Sequence, residues 1–309
     1  MWPALLAAAS LAATTPTEAP PTDDADALAV VDDEAGDSAA PVEAPPAGAP
    51  FGRIPPEVLR AVEASRHLPL PQRMAAVSEP LLGRPYVLDP LGEGVPPDPD
   101  PLVRYDAFDC LTFVEEVLAL SLAGDPLHAA EIRNALRYGD APVDYVKRRH
   151  FMELQWIAGN IADGWLVDTT REYGETIRLE REVTPATWAG WSRRARFAHE
   201  DHELPTGTMA LDVLPLDVAR EIAHTLRPGS LILTVREDRP WVPLWVTHIG
   251  FVLPGDPPRV RHATPMGGGG TRDQGLAGYL SHIAGYGGWK VLGIAVLEPV
   301  EPGPRALRP

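Results

Sequence analysis

Residues 108–115 read Phe-Asp-Cys-Leu-Thr-Phe-Val-Glu, and they contain Cys110, the single cysteine of the 309-residue chain. Asp109 is a good helix-capping residue and the run after it has helical spacing, so the sequence predicts a helix that begins at Cys110. The unpaired N–H groups and positive dipole of a helix N-terminus favour a thiolate. The stretch therefore predicts a nucleophilic cysteine, with a small buried core residue as the alternative.

The predicted helix is apolar on more than one face. Its apolar side chains recur at helical spacing in two overlapping sets, which are Phe113, Val117 and Leu120, and Val114, Leu118 and Leu122. A stripe this wide is typical of a buried helix rather than a surface helix. We therefore expect the helix to lie inside the domain, with its first turn, and Cys110, opening onto a cleft.

The first 50 residues have a composition of their own. Residues 2–13 form a short apolar run that ends in small residues, like the core of a signal peptide, although a basic start is absent. Residues 14–50 contain nine acidic residues and no Lys or Arg, which predicts a disordered acidic linker. We expect a signal peptide at 1–13, export to the periplasm or cell envelope, and no transmembrane segment.

Residues 51–309 are long enough to form a single catalytic domain with its own hydrophobic core. They carry a net charge of about −7, because the acidic linker accounts for the rest of the total of −16. A moderately acidic surface repels phosphate groups, so the sequence predicts no nucleic-acid partner.

Helical patterns come first in this domain and strand patterns second. Helices are predicted at 56–66, 72–82, 127–138, 142–162 and 217–226, and strands at 231–235, 245–253, 260–264 and 290–297. This segregation favours an α+β domain with a mainly antiparallel sheet. Residues 170–215 show no clean period and are predicted to form an insertion or lid.

Two histidines fall in neighbouring strand patterns. His248 and His262 flank a turn at 254–258 whose midpoint is Gly255. A hairpin folded symmetrically about Gly255 would place them directly opposite each other on one face of the sheet. A one-residue asymmetry in the turn would break this opposition, so the prediction depends on the register.

A thiol at a helix start and two adjacent imidazoles supply a nucleophile, a general base and a group that orients the base. Cys110 is the predicted nucleophile, with its backbone N–H as an oxyanion donor; His248 is the base and His262 the orienting residue. Zinc binding by the same three residues is an alternative, but Cys110 has no close second ligand. The site is therefore predicted to hold no metal and no cofactor. Each histidine taken alone could instead be a half-buried strand residue.

Six motifs along the chain carry a family resemblance. They are Leu82-Gly83-Arg84-Pro85-Tyr86, the stretch at 108–115, Arg137-Tyr138, Arg149-His150 with Trp156, Thr247-His248-Ile249-Gly250, and His262-Ala263-Thr264. Together they resemble the N-acetylmuramoyl-L-alanine amidase-like family, a branch of the NlpC-type, papain-like cell-wall cysteine hydrolases. The resemblance covers roughly residues 75–297.

The resemblance implies a papain-like (NlpC-type) fold with Cys110, His248 and His262 as its catalytic triad. It implies a muropeptide or peptidoglycan substrate, cut at the amide between the lactyl group of N-acetylmuramic acid and L-alanine during cell-wall turnover. Some members of the family prefer the 1,6-anhydro form of the sugar. The resemblance also makes Tyr86 a candidate oxyanion donor and Asp109 a candidate substrate contact, besides its role as helix cap.

The basic run at 147–150 adds Arg149 as a candidate for binding the carboxylates of the stem peptide, with a solvated helix face as the alternative.

Other functions stay open at this point. The same triad could serve a peptidoglycan endopeptidase or an acyltransferase, and the domain could be a catalytically silent envelope-binding module.

Overall fold

The first five α-helices precede the first strand of the described chain. The computed structural model describes residues 53–126 and 128–301, so the predicted signal peptide and acidic linker lie outside the described residues. The α-helices are α1 (Pro56–Ser65), α2 (Leu70–Ser78), α3 (Cys110–Ala123), α4 (Ala129–Tyr138), α5 (Ala158–Ala162), α6 (Pro185–Ala189), α7 (Leu216–Glu221) and α8 (Leu276–Ala284). Across the two described ranges, no helix is both long and apolar enough to cross a membrane.

The strands of the described residues join into one antiparallel sheet. They are β1 (Leu166–Asp168), β2 (Ile177–Val183), β3 (Gly207–Pro215), β4 (Leu231–Arg236), β5 (Val246–Leu253), β6 (Arg259–Thr264), β7 (Gly270–Gly275) and β8 (Val291–Pro299). Their order is β2-β3-β8-β4-β5-β6-β7, with β1 also pairing with β8. The predicted α+β class with a mainly antiparallel sheet is confirmed.

The sheet has a hydrophobic core on each side. Helices α1 to α4 pack on one side, where Ile249 and Phe251 of β5 join the larger cluster. Helices α7 and α8 cover the other side, where Val252 joins the smaller cluster. Because strand side chains alternate between faces, β5 contributes to both cores, as β4 and β8 also do.

The predicted helix at 142–162 is wrong as a single element. The chain forms a short 3₁₀ turn at Tyr145–Lys147, a π-helical segment at Met152–Ile157 and then α5. Between the first two, the Arg149 N–H donates to the carbonyl of Arg137 at 2.8 Å, which ties this part of the backbone to the end of α4. A tertiary hydrogen bond has replaced the local one that a continuous helix would make.

Residues 170–215 contain the hairpin of β2 and β3, which extends the sheet through the pairing of β3 with β8. The strand pattern is hard to detect in β2, because charged side chains lie on both of its faces. Trp188 and Trp191 are buried, and Trp188 packs on Phe151 with ring centroids 4.6 Å apart. The segment is therefore packed against the domain as part of its core. Its role as an insertion or lid stays a prediction.

Candidate active site

Cys110 is the first residue of α3, and Asp109 caps the helix. Asp109 Oδ1 accepts hydrogen bonds from the Thr112 N–H at 2.7 Å and from the Thr112 hydroxyl at 2.8 Å, while the Asp109 N–H donates to Thr112 Oγ1 at 3.0 Å. Asp109 Oδ2 accepts from the Asp89 N–H at 3.2 Å. The carboxylate thus fixes both the start of the helix and the loop that precedes it, as a capping residue does.

The side chain of Cys110 is half-buried, and protein groups surround its sulfur. Burial and the neighbouring Asp109 carboxylate raise its pKa to about 12, although the N–H groups of Ile249, Leu111 and Cys110 act in the opposite direction. Burial thus outweighs the helix N-terminus in setting the pKa of the thiol, and the expected thiolate stays a prediction. A raised pKa favours the neutral thiol over the thiolate.

Alkylation of Cys110 tests this protonation state directly. With a pKa near 12, the thiolate fraction grows about tenfold for each pH unit between roughly pH 7 and 9. We expect the iodoacetamide rate, followed by intact mass, to rise by about that factor per unit. A rate that is already constant at about pH 6 would show a preformed thiolate–imidazolium pair instead.

His248 on β5 and His262 on β6 form a hydrogen-bonded pair. His248 Nε2 and His262 Nδ1 are 2.8 Å apart, and the two rings are nearly perpendicular, at 83°. Both side chains are buried, with 9% and 3% of their surfaces exposed. The predicted proximity of the two imidazoles is thus present in the structure.

The register of the hairpin differs from the symmetric one that was expected. Phe251 pairs with Arg261, so the hairpin is centred one residue beyond Gly255. His248 and His262 are therefore diagonal rather than directly opposed neighbours. They still share a face because the pairing has shifted by two positions, and side chains alternate with a period of two.

Gly250 makes the space that the diagonal arrangement needs. A Cβ atom at this position would lie 2.9 Å from the Cβ of His262 and 3.0 Å from the carbonyl oxygen of Arg261. Both distances are shorter than ordinary van der Waals contacts. The close approach of His262 thus explains why position 250, two residues after His248, is a glycine.

The pKa values of both imidazoles lie below the ordinary value of histidine. Burial lowers the pKa of His248 well below its usual value, and the neighbouring His262 lowers it further. Burial, Arg272 and His282 lower the pKa of His262 to about 4. An imidazole with a lowered pKa that lines the same cavity as a thiol can act as a general base toward it.

Tyr279 of α8 completes this side of the site and was not predicted. Its ring centroid lies 5.5 Å from that of His262 and 6.2 Å from that of His248, and its hydroxyl forms a hydrogen bond with Thr234 of β4. These contacts limit the movement of the two imidazole rings on the side that faces α8. No motif in the sequence singles out this residue, because only the packing of α8 brings it to the pair.

Cys110 and His248 line the same cavity, which has a volume of about 270 Å³. Tyr86, Asp109 and Arg149 line it too, so the structure brings together five of the six predicted site residues. His262 lies behind His248 and lines a second cavity. Burial, Cys110 and Asp109 raise the pKa of Tyr86, which keeps its hydroxyl protonated and able to donate.

Arg149 lines the cavity, but its guanidinium is occupied by other groups of the protein. Nη1 donates to Asn160 Oδ1 at 2.9 Å, and Nη2 pairs with Asp163 at 2.5 Å. The guanidinium also lies so close to Gly159 that a Cβ there would be 2.6 Å from it. These contacts fix α5 and the residue that follows it to Arg149, and they leave fewer donors for a substrate than the sequence suggests.

Glu115 on α3 forms hydrogen bonds with residues of two other sequence motifs, Arg137 and Trp156. Its Oε2 accepts from Arg137 Nε at 2.6 Å and its Oε1 accepts from Trp156 Nε1 at 2.8 Å. Glu115 and Arg137 are both buried, with 3% and 4% exposure. The arginine and the tryptophan thus have a structural role, since they satisfy a carboxylate buried on the same helix as Cys110.

Within residues 53–126 and 128–301 there is no group of three or more His, Cys, Asp or Glu side chains placed to hold a metal ion. The site combines a thiol at a helix start with a pair of hydrogen-bonded imidazoles, one of which lines the same cavity, on an α+β scaffold with an antiparallel sheet.

Comparison with known proteins places the chain in a family. The AmiA-like model, described as N-acetylmuramoyl-L-alanine amidase-like, matches residues 76–286. The protein therefore belongs to the N-acetylmuramoyl-L-alanine amidase-like family. No protein among the curated ones matches the chain.

Solved structures share the fold at low sequence identity. A Legionella pneumophila protein aligns with a TM-score of 0.66 at 19% identity, over 79% of this chain and 93% of that one. An N-acetylmuramoyl-L-alanine amidase from Bacteroides uniformis aligns with a TM-score of 0.59 at 21% identity, over 74% of this chain and 98% of that one.

Proposed function

We propose that this protein is a cysteine hydrolase that cuts the amide between N-acetylmuramic acid and L-alanine in peptidoglycan stem peptides. One observation carries the proposal: Cys110, at the start of α3, shares a cavity with His248, which is hydrogen-bonded to His262. Family membership supports the choice of bond. The proposal includes a papain-like, NlpC-type arrangement of the triad and a role in cell-wall turnover.

The first chemical step is attack by the Cys110 sulfur on the amide carbonyl. His248 takes the thiol proton on Nδ1, so its Nε2 must carry a hydrogen and donate it to His262 Nδ1, 2.8 Å away. His262 then carries its own hydrogen on Nε2. His262 is a positioning residue in this scheme, since it fixes the tautomer and the orientation of His248.

Charge develops on the carbonyl oxygen as the tetrahedral intermediate forms. The backbone N–H of Cys110 and the hydroxyl of Tyr86 are the proposed donors to this oxyanion. His248 then gives its proton to the leaving amine of L-alanine, and a thioester remains on Cys110. Water, deprotonated by His248, hydrolyses the thioester and releases the muramic acid carboxylate.

The products made from defined muropeptides test the proposal. Purified protein should release an intact stem peptide that begins with L-alanine, together with a sugar that keeps its lactyl carboxylate, and mass spectrometry identifies both. Paired substrates with reducing and 1,6-anhydro ends measure the sugar preference. Release of dipeptides would show an endopeptidase, and a product joined to an added amine would show an acyltransferase. Binding without turnover would identify a silent envelope-binding module.

Four arginines line the Cys110 cavity together with the carboxylates of Asp89, Asp109 and Glu115. Arg148 and Arg149 are already paired, with Asp98 and Asp163. Arg196, which follows α6, lines the same cavity and makes no side-chain hydrogen bond or ion pair with any described residue. Arg196 is therefore the arginine we assign to the stem-peptide carboxylates, a role that sequence reasoning gave to Arg149.

Replacing Arg196 by glutamine should raise KM for a muropeptide with free stem-peptide carboxylates roughly threefold to tenfold, because a charge-assisted hydrogen bond is lost. The value of kcat should stay the same, and a substrate with amidated carboxylates should show no change. Arg66→Gln is the matched control, since Arg66 is exposed and lines neither cavity. Equal losses on the free and amidated substrates would exclude a contact with the carboxylates.

Export to the periplasm or cell envelope belongs to the proposal as well, since the substrate lies outside the cytoplasm. It rests on the apolar run at 2–13, which lies outside the described residues. The mass of the protein recovered from a bacterial envelope fraction would show whether this run is removed.

A further inference from the structure

The hydroxyl of Tyr86 is not held at its tip by the protein. Tyr86 lines the Cys110 cavity, and across residues 53–126 and 128–301 its hydroxyl forms no hydrogen bond. A donor to an oxyanion needs this freedom from other partners, yet it must already point at the place where the charge develops. The direction of the Tyr86 hydroxyl therefore depends on the packing of its ring and on the backbone turn at 81–86 that carries it.

Thr271, the second residue of β7, holds this turn with all of its polar groups. Its Oγ1 accepts from the Arg84 N–H at 2.9 Å and donates to the carbonyl of Leu81. Its N–H donates to the Arg84 carbonyl at 2.9 Å, and its carbonyl accepts from the Gly83 N–H at 2.9 Å. Thr271 is 3% exposed, so these bonds are shielded from water. The turn is thus attached to β7 through both the backbone and the side chain of one residue.

Glycines let the turn come close to this end of β7. A Cβ atom at Gly270 would lie 2.7 Å from the carbonyl oxygen of Arg84, which is too short for a non-bonded contact. A Cβ atom at Gly269 would lie 3.7 Å from the Cβ of Tyr86, at ordinary contact distance. The start of β7 therefore packs directly against the segment that leads to the tyrosine.

The same residue relates the tyrosine to the histidine pair. Thr271 pairs with Ala263 of β6, the residue after His262. On the other side of Thr271, Pro85 joins the bonded Arg84 to Tyr86, and its ring fixes one of the two backbone dihedrals between them. A shift at Thr271 is therefore passed on to the tyrosine with little loss.

A second attachment holds Tyr86 from the side of α3. The Phe108 N–H donates to the Pro85 carbonyl at 3.1 Å, and the Val87 N–H donates to the Phe108 carbonyl at 3.0 Å. This pairing fixes the backbone of Tyr86 beside the residues that precede Cys110. The tyrosine thus lies between two attachments, one to the nucleophile helix and one to the sheet of the histidines.

We infer that Thr271 is a positioning residue, whose hydroxyl fixes the 81–86 turn so that the Tyr86 hydroxyl points at the oxyanion. The inference rests on the proposed function and adds to it a residue that does not touch the substrate. Because the oxyanion exists only after attack by Cys110, the contribution of Thr271 falls on kcat and leaves KM unchanged.

Thr271→Val tests the inference, since valine keeps the shape of the side chain and removes only the hydroxyl. The value of kcat for a muropeptide should fall roughly fivefold to twentyfold, less than the loss of about 10²-fold expected when an oxyanion donor itself is removed. Thr271→Ser keeps the hydroxyl and should restore kcat to within about twofold of the wild type. An unchanged kcat in Thr271→Val would mean that the pairing with Phe108 is sufficient, and would overturn the inference.

Thr170→Val is the matched control. Thr170 is also fully buried, and its Oγ1 accepts from the Val296 N–H at 2.9 Å, but it lines neither the Cys110 cavity nor the cavity behind His248. The control should lose thermal stability much as Thr271→Val does and keep the kcat of the wild type.

A double-mutant cycle with Tyr86→Phe separates positioning from a general structural role. If Thr271 acts through the tyrosine hydroxyl, adding Thr271→Val to Tyr86→Phe should lower kcat by less than about twofold further. Losses that multiply in the double variant would mean that Thr271 acts by another route, and would overturn the inference.

Hydrogen exchange needs no substrate and keeps this inference apart from the proposed function. In peptides that span residues 81–87, amide exchange should be faster in Thr271→Val than in the wild type and unchanged in Thr170→Val. Equal exchange in all three proteins would show that the Thr271 hydroxyl does not hold the turn. If the wild type cuts no muropeptide, the proposed function fails, while the exchange rates still decide whether Thr271 fixes the segment that carries Tyr86.

Discussion

Replacing Cys110 by alanine is expected to abolish muropeptide hydrolysis, with a loss of at least about 10³-fold in kcat. The sulfur is the group that forms the covalent bond, and the cavity that it lines with His248 offers no second thiol. Because Cys110 is only partly buried and touches the core at one side, the variant should keep its fold. The measurement is stem-peptide release followed by mass spectrometry, alongside thermal unfolding.

Cys110→Ser is the companion variant, since it keeps the shape of the side chain and replaces the thiol by a far weaker nucleophile. It should also be inactive while binding muropeptide like the wild type. Treatment with a chelator should leave wild-type activity intact, and a thiol alkylator should remove it. Activity that survives in Cys110→Ala but disappears with the chelator would contradict the cysteine mechanism. It would support a zinc-dependent reaction.

Replacing Glu115 by alanine is expected to lower the free energy of unfolding by about 3–5 kcal/mol, because it leaves a buried charge without its partner. Arg137 is 4% exposed and would keep only the Leu102 carbonyl as an acceptor, at 2.9 Å. Trp156 would lose the acceptor for its Nε1–H. Urea unfolding of the variant and the wild type at neutral pH measures the difference.

Glu131→Ala is the matched control, because Glu131 is an exposed residue of α4. Its effect should stay within about 0.5 kcal/mol. The double variant Glu115→Ala with Arg137→Met should be more stable than Glu115→Ala alone, since the unpaired guanidinium is then gone. The assignment is wrong if Glu115→Ala costs less than about 1 kcal/mol, or if the second change brings no recovery.

The strongest local signals of the sequence predicted the elements that hold the site. The Asp109 cap and the apolar spacing after it predicted α3 and the place of Cys110 at its start, and both are present. The strand runs around His248 and His262 predicted β5 and β6 and the proximity of the imidazoles. These signals depend on neighbouring residues and on side-chain periodicity, which a single sequence displays.

The features that were missed depend on contacts between distant segments. Residues 142–162 have helical spacing, yet the bond from the Arg149 N–H to Arg137 breaks the helix. The strand β2 carries charges on both faces because it is an edge strand, and only its pairing with β3 identifies it. Arg196 and Tyr279 belong to no recognised motif, and the packing of their elements brings each of them to a cavity.

The sequence by itself determined the position of the thiol, the two imidazoles and the α+β class, because capping and period-two alternation are local properties. Only the tertiary structure decided the pKa shifts of these groups. Burial of Cys110 raises its pKa to about 12 and burial lowers that of His248, since the energy of a charge depends on the groups that surround it in space. It also decided that the histidines are diagonal neighbours beside Gly250, with a separate cavity on the far side.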